Sequence, residues 1–230
     1  TLTGLGERAH LLSPQVNLSV HVDDILNLFK FEQLTDVVLC GHSYGGLVIT
    51  AVADAIPERI KALVYVDANL GGDRKSVFDL DTPEAVAFFV NQVQDNGGHV
   101  LPPLPANRFN VSAANEAWVD RLCSAQPFAT FVERRPLTGK YHSVLDKTYL
   151  LATNWARSPF HRQCASIDGK PGWKVHKIDC GHDVMIDLDG HFAAVVAQYS
   201  VSWTTLEYLI LVFGLVTSAF IDFDHMILPD

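Results

Sequence analysis

At 230 residues with 48% hydrophobic side chains, the chain can bury one sizeable core and fits a single domain better than two, so one active site is expected. A formal net charge of −9 without any Lys/Arg cluster argues against a nucleic-acid partner, because phosphate binding needs concentrated positive charge; a small-molecule substrate is the better expectation. Cys40, Cys123, Cys164 and Cys180 lie far apart with no C-x-x-C spacing, which speaks against a zinc site or a disulfide scaffold and for reduced thiols. No basic stretch followed by an apolar run opens the sequence, and a cytoplasmic address is expected.

In chain order, the text opens in a loop-like TLTGLGER and reaches its first apolar strand at 36–40 (DVVLC). Residues 47–56 read as a helix ended by Pro57, and 60–66 (IKALVYV) as the next β-branched strand. From 71 to about 147 the character changes: Pro102, Pro103 and Pro105, amphipathic pieces at 84–93 and 116–122, and no clear strand. This segment is expected to form a helical cap over the sheet. Strands resume at 148–153 (TYLLAT) and 173–178 (WKVHKI). Strand, turn and helix in repetition predict an α/β fold with a mainly parallel sheet and helices on both faces. The run 206–221, apolar apart from Glu207, is short for a membrane span and hydrophobic for an exposed tail.

The sequence Gly41-His42-Ser43-Tyr44-Gly45-Gly46 sets G-x-S-x-G between the first strand and the first helix. A serine on such a turn projects above the sheet edge, and the Tyr44 backbone N–H with the positive helix end faces any oxyanion formed there. A serine hydroxyl needs a base to take its proton. Of ten histidines, His182 is the candidate, because Gly181-His182 follows the last strand and can reach back to Ser43. His42 is expected to point away from the elbow and to serve packing. An acid to orient His182 is missing from the loop after 148–153, which offers Asn154-Trp155-Ala156-Arg157. The end of 60–66 supplies Asp67 instead, while Asp183 and Asp187 stand close in sequence to the histidine.

With these residues in view, TLTGLGERAHLLS, VVLCGHSYGGLVITAVAD, IKALVYVDA and WKVHKIDCGHDVMID resemble bacterial α/β-hydrolase esterases related to the plant methylesterase and hydroxynitrile lyase group. The likeness covers about residues 1–199 and implies an α/β-hydrolase domain with a cap at 71–147 and an atypical tail at 200–230. It implies a triad of Ser43, Asp67 and His182, an oxyanion donor at the Tyr44 N–H, acyl-enzyme chemistry on a carboxylic ester, and no cofactor or metal. Such proteins usually carry further N-terminal residues that supply strands and a second oxyanion N–H. Against that pattern the first strands are missing, and the Ser43 strand is expected to have an unpaired edge, filled by the tail or by self-association. The segment SAFIDFDHMILPD resembles an aspartate-bearing membrane segment of type IV prepilin peptidases, without their Gly-x-Gly-Asp motif, so membrane contact through the tail is a further expectation and protease activity is not. Two other functions compete with ester hydrolysis. One is a truncated, non-catalytic binding or membrane-associated protein. The other is a hydroxynitrile lyase, which the presence of Asp183 where those enzymes carry lysine disfavours.

Overall fold

The computed structural model describes residues 1–155, 158–188 and 209–214. Helix α1 (Leu18–Phe31) begins where the Asn17 side chain accepts the Val20 N–H at 3.0 Å. Its Leu18, Val22, Ile25 and Phe29, spaced at helical periods, are buried with His21. Strand β1 (Val37–Ser43) is buried along its whole length, as a near-continuous apolar run in a parallel sheet should be. Helix α2 (Gly45–Ala55) is buried from Gly45 through Asp54 and starts two residues before the expected 47, directly behind the serine. Strand β2 (Ile60–Ala68) extends past the expected 66, so Asp67 lies in the strand itself.

Strands β5 (Lys147–Ala152) and β6 (Trp173–Ile178) continue the sheet, and β7 (Leu209–Gly214) lies at its other edge. The order is β6-β5-β2-β1-β7 with every pair parallel. Helix α2 packs on β1 and β2, and α7 (Phe160–Ala165) on β5. A mainly parallel sheet flanked by helices is the architecture expected from the strand–helix alternation. Because the chain leaves β1 only in the direction of β2, the other side of β1 needs a strand from elsewhere. Strand β7 supplies it, in register from Val38↔Leu209 to Ser43↔Gly214. The edge expected to be open is therefore paired over these residues. The rest of the apolar run 206–221, and the prepilin-peptidase-like segment 218–230, lie outside the described residues. Among the described residues no helix is long and apolar enough to cross a membrane.

Between β2 and β5 run α3 (Val77–Leu80), α4 (Pro83–Asp95), α5 (Ala113–Leu122) and α6 (Ala129–Val132). Helices α4 and α5 are the two amphipathic pieces, each somewhat longer than its apolar pattern. The expectation of no strands here is corrected by β3 (Val100–Leu101) and β4 (Gln126–Pro127), which pair antiparallel. Two residues per strand are too few to show an alternating pattern. The segment is tied to the body where Glu133 accepts the Ser19 N–H at 2.8 Å and the Ser19 hydroxyl at 2.5 Å, at the first turn of α1. It is tied again where Asp54, at the end of α2, accepts the Thr138 N–H at 2.7 Å. All four cysteines are free thiols.

Candidate active site

Ser43 closes β1 with φ at 52°, in the left-handed region that a side chain rarely adopts. The glycines around it are required by close approach. A Cβ on Gly41 would come within 2.6 Å of the Gly45 carbonyl oxygen, and one on Gly46 would overlap the Asn69 carbonyl oxygen. The elbow is further held because the Asn69 N–H donates to the Ser43 carbonyl at 3.0 Å. Tyr44 follows as the residue at the start of α2, where backbone N–H groups have no intrahelical acceptor. Its side chain is buried and anchored: the ring stacks on Phe131 at 5.9 Å, and its hydroxyl donates to His21 Nδ1 at 3.1 Å. His21 Nε2–H in turn donates to the Thr3 carbonyl at 2.8 Å, which fixes that tautomer.

His182 and Asp67 meet although 115 residues separate them. The His182 Nδ1–H donates to Asp67 Oδ2 at 2.7 Å, and the Ala152 N–H donates to Asp67 Oδ1 at 3.2 Å. Strand β2 lies between β1 and β5, so its end sits beside both the serine and the loop that follows β6. Asp67 also has a positive φ, 39°. Burial pushes the His182 imidazole below its ordinary range and so favours the neutral, proton-accepting form, while the Asp67 carboxylate at Nδ1 opposes that shift. Burial likewise pushes the Asp67 carboxyl well above its ordinary range, opposed by the Ala152 N–H. The 2.7 Å contact with Nδ1–H favours the carboxylate in the same way. The His182 N–H donates to the Phe109 carbonyl at 2.9 Å.

His42 does not merely pack away from the site. Its ring lies 4.4 Å from that of His182, and its Nε2–H donates to the His182 carbonyl at 2.9 Å. Asp183 is fully buried, and neither of its carboxylate oxygens has a hydrogen-bond partner among the described residues. Burial, with Asp187 and Asp67 nearby, pushes its carboxyl up to about 8. Among the described residues one set of metal-ligand atoms gathers, on His42, His182 and Asp183, within 4.8 Å of one another. Two of its members already use a ring nitrogen in the hydrogen bonds above. Asp187 stands apart from this cluster's hydrogen bonds and accepts the Gly181 and Ser112 N–H groups, at 2.9 and 3.1 Å.

Ser43 and His182 open on a cavity of about 580 Å³. Of the cap's aromatic residues, Phe88, Phe89, Phe109 and Phe131 line it; Trp118 and Phe128 are not in its wall. Phe128 packs on Phe78 at 5.7 Å and Trp118 is 39% exposed. Trp155 and Phe160, from the chain just after β5, complete the wall and were not anticipated. Their one sequence signal is that they follow the strand where an acid was sought. Asn154, from the loop that lacks the acid, also lines the cavity.

The Alpha/beta hydrolase family matches residues 1–198 of this chain. A carbendazim hydrolyzing esterase from Nocardioides sp. (strain SG-4G) is 42% identical over 205 residues, 86% of this chain and 85% of the relative. Among solved structures, an extracellular alpha/beta-hydrolase from a Paenibacillus species superposes with a TM-score of 0.68 at 23% identity, covering 82% of this chain and 81% of that one. Tomato methylketone synthase I superposes with a TM-score of 0.65 at 19% identity, covering 86% of both chains. At these identities the two structures speak for the fold alone, and their different names illustrate that one fold serves several reactions. With the sheet order, the strained serine between β1 and α2, and a family match spanning most of its length, this chain belongs to the Alpha/beta hydrolase family.

Proposed function

We propose that this protein hydrolyses small carboxylic esters through an acyl-enzyme on Ser43. The observation that carries the reading is the buried 2.7 Å contact between Asp67 and His182, made beside a cavity that Ser43 and His182 both line. The neutral His182 Nε2 takes the Ser43 proton as Oγ attacks the ester carbonyl carbon. The oxyanion forms against the Tyr44 N–H at the start of α2. The intermediate collapses, the C–O bond to the alcohol breaks, and His182 gives its proton to the leaving alcohol. Water then attacks the acyl-enzyme with His182 again accepting a proton, and the acid leaves with Ser43 restored. Asp67 keeps the proton on Nδ1 throughout, so that Nε2 faces the serine. Every proton in this scheme moves between substrate, water and protein groups.

The 42% identical esterase supports an ester as the substrate class. The segment 71–147 acts as the cap, since Phe88, Phe89, Phe109 and Phe131 give the cavity an apolar wall suited to an uncharged acyl or alcohol group. The test is labelling by a fluorophosphonate, followed by intact mass, with Ser43→Ala alongside. One adduct per chain, lost in the variant, is expected. A folded protein that takes up no label overturns the reading.

A further inference from the structure

Among the described residues, four rings close on the His182 imidazole. Their centroids lie 4.4 Å away for His42, 4.6 Å for Trp155, 5.2 Å for Phe160 and 5.4 Å for Phe109. Phe160 is nearly parallel to the imidazole, at 14°; Trp155 and Phe109 are tilted by 38° and 35°. The collar is itself rigid, because Trp155 packs on Phe109 at 5.3 Å and on Phe160 at 6.0 Å. The His182 side chain is 2% exposed, so water reaches little of it. A general base in this position becomes an imidazolium in both half-reactions, and burial opposes that charge. Asp67 offsets it at the Nδ1 edge only. The faces of the ring meet π-systems, and a cation within about 6 Å of an aromatic centroid is attracted by the ring quadrupole.

We propose that Phe109, Trp155 and Phe160 form an aromatic collar of positioning residues that stabilises the His182 imidazolium and holds the ring in its contact with Asp67. The inference rests on the ester-hydrolase reading above and adds three residues to it. Other groups also face His182. Asp67 meets it at Nδ1, and His42 and Asp183 bring ligand atoms within 4.8 Å. Ser43 shares the cavity wall, Asp187 acts on Asp183, and His161 of α7 acts on Asp67. None of them is altered by a substitution in the collar, so comparison among collar variants isolates the rings. A second role for the same rings is mere exclusion of water, and the two roles move the imidazole in opposite directions. Loss of a π-face makes the imidazolium harder to form; entry of water makes it easier.

The experiment is the rate of fluorophosphonate labelling of the full chain as a function of pH. The variants are Phe160→Leu and Trp155→Leu, with Phe160→Tyr and Trp155→Phe as aromatic controls. Each Leu variant is expected to label two- to five-fold more slowly on the plateau. Its half-plateau pH should fall by about half a unit, the size of one cation–π contact. The aromatic controls should keep the parent profile. Leu variants whose profile stays in place or moves to higher pH overturn the collar, whatever their rate. Trp155 is only partly buried, so Trp155→Leu gives a second reading if Phe160→Leu fails to fold. A parent that takes no label overturns the ester-hydrolase reading itself, a result distinct from labelling with an unmoved profile.

Discussion

Two residues of the site, Ser43 and Asp67, are side-chain-bearing residues held at positive φ, and each such conformation costs about 1–3 kcal/mol. Both sit at the ends of neighbouring parallel strands, where the backbone must turn sharply and still present a side chain to the same cavity edge. If Asp67 orients His182, Asp67→Asn retains the shape of the side chain but reverses the proton on Nδ1. Turnover on an activated ester should then fall by about four orders of magnitude with little change in thermal stability. Near-parent turnover would remove Asp67 from the mechanism. Asp183 leads to a different expectation. Its carboxyl, at 3.8 when free and about 8 when folded, binds a proton in the native state that the unfolded chain has lost. The stability it contributes is full below about pH 4 and disappears as pH rises through 8. Asp183→Asn should remove this slope: similar to the parent at pH 4, and more stable by roughly 1–3 kcal/mol at pH 8, by thermal melts across that range. Equal melting curves at both pH values would show that the group is not held protonated. At this scale Ser43 and His182 stood out in the sequence, because each follows a strand with glycine beside it. Asp67 required a choice among carboxylates, and neither the bond from His42 to the His182 carbonyl, made across 140 residues, nor the burial of Asp183 had a sequence signature.

Helix α2 is buried on every side, which is why its sequence lacks a polar face and why its start could not be located by periodicity. The first turn tolerates nothing larger than glycine at 46, since the Asn69 carbonyl of the chain leaving β2 occupies the place of a Cβ. Gly46→Ala is expected to push α2 away from β2, destabilise the protein by about 1–3 kcal/mol and slow Ser43 labelling. A variant with parent melting temperature and labelling rate would show that the contact yields freely. Strands β1, β2, β5 and β6 were visible as short β-branched runs, and only their ends differ. The pair β3 and β4 was hidden because its two-residue ladder depends on Val100 and Pro127 being brought together by the helices around them.

For the molecule as a whole, the parallel sheet places the ends of β1, β2 and β5 along one edge, and the loop after β6 adds His182 to it. Strand β7 completes the sheet beside β1. Without it, the β1 edge from Val38 to Ser43 would present unpaired backbone groups next to the serine. Deletion of residues 206–230 should therefore lower the melting temperature and cause association, read by light scattering during a thermal ramp. An equally stable, monomeric product would show that the sheet does not need β7. The sequence by itself determined the fold class and singled out Ser43 and His182, which line one cavity, because these rest on local patterns: apolar runs of strand length, a glycine-flanked serine, a Gly-His after the last strand. Only the tertiary structure decided which carboxylate meets that histidine, which rings surround it and what pairs with β1. Those depend on strand order and on contacts between residues far apart in the chain, and a linear pattern does not encode which distant surfaces will meet.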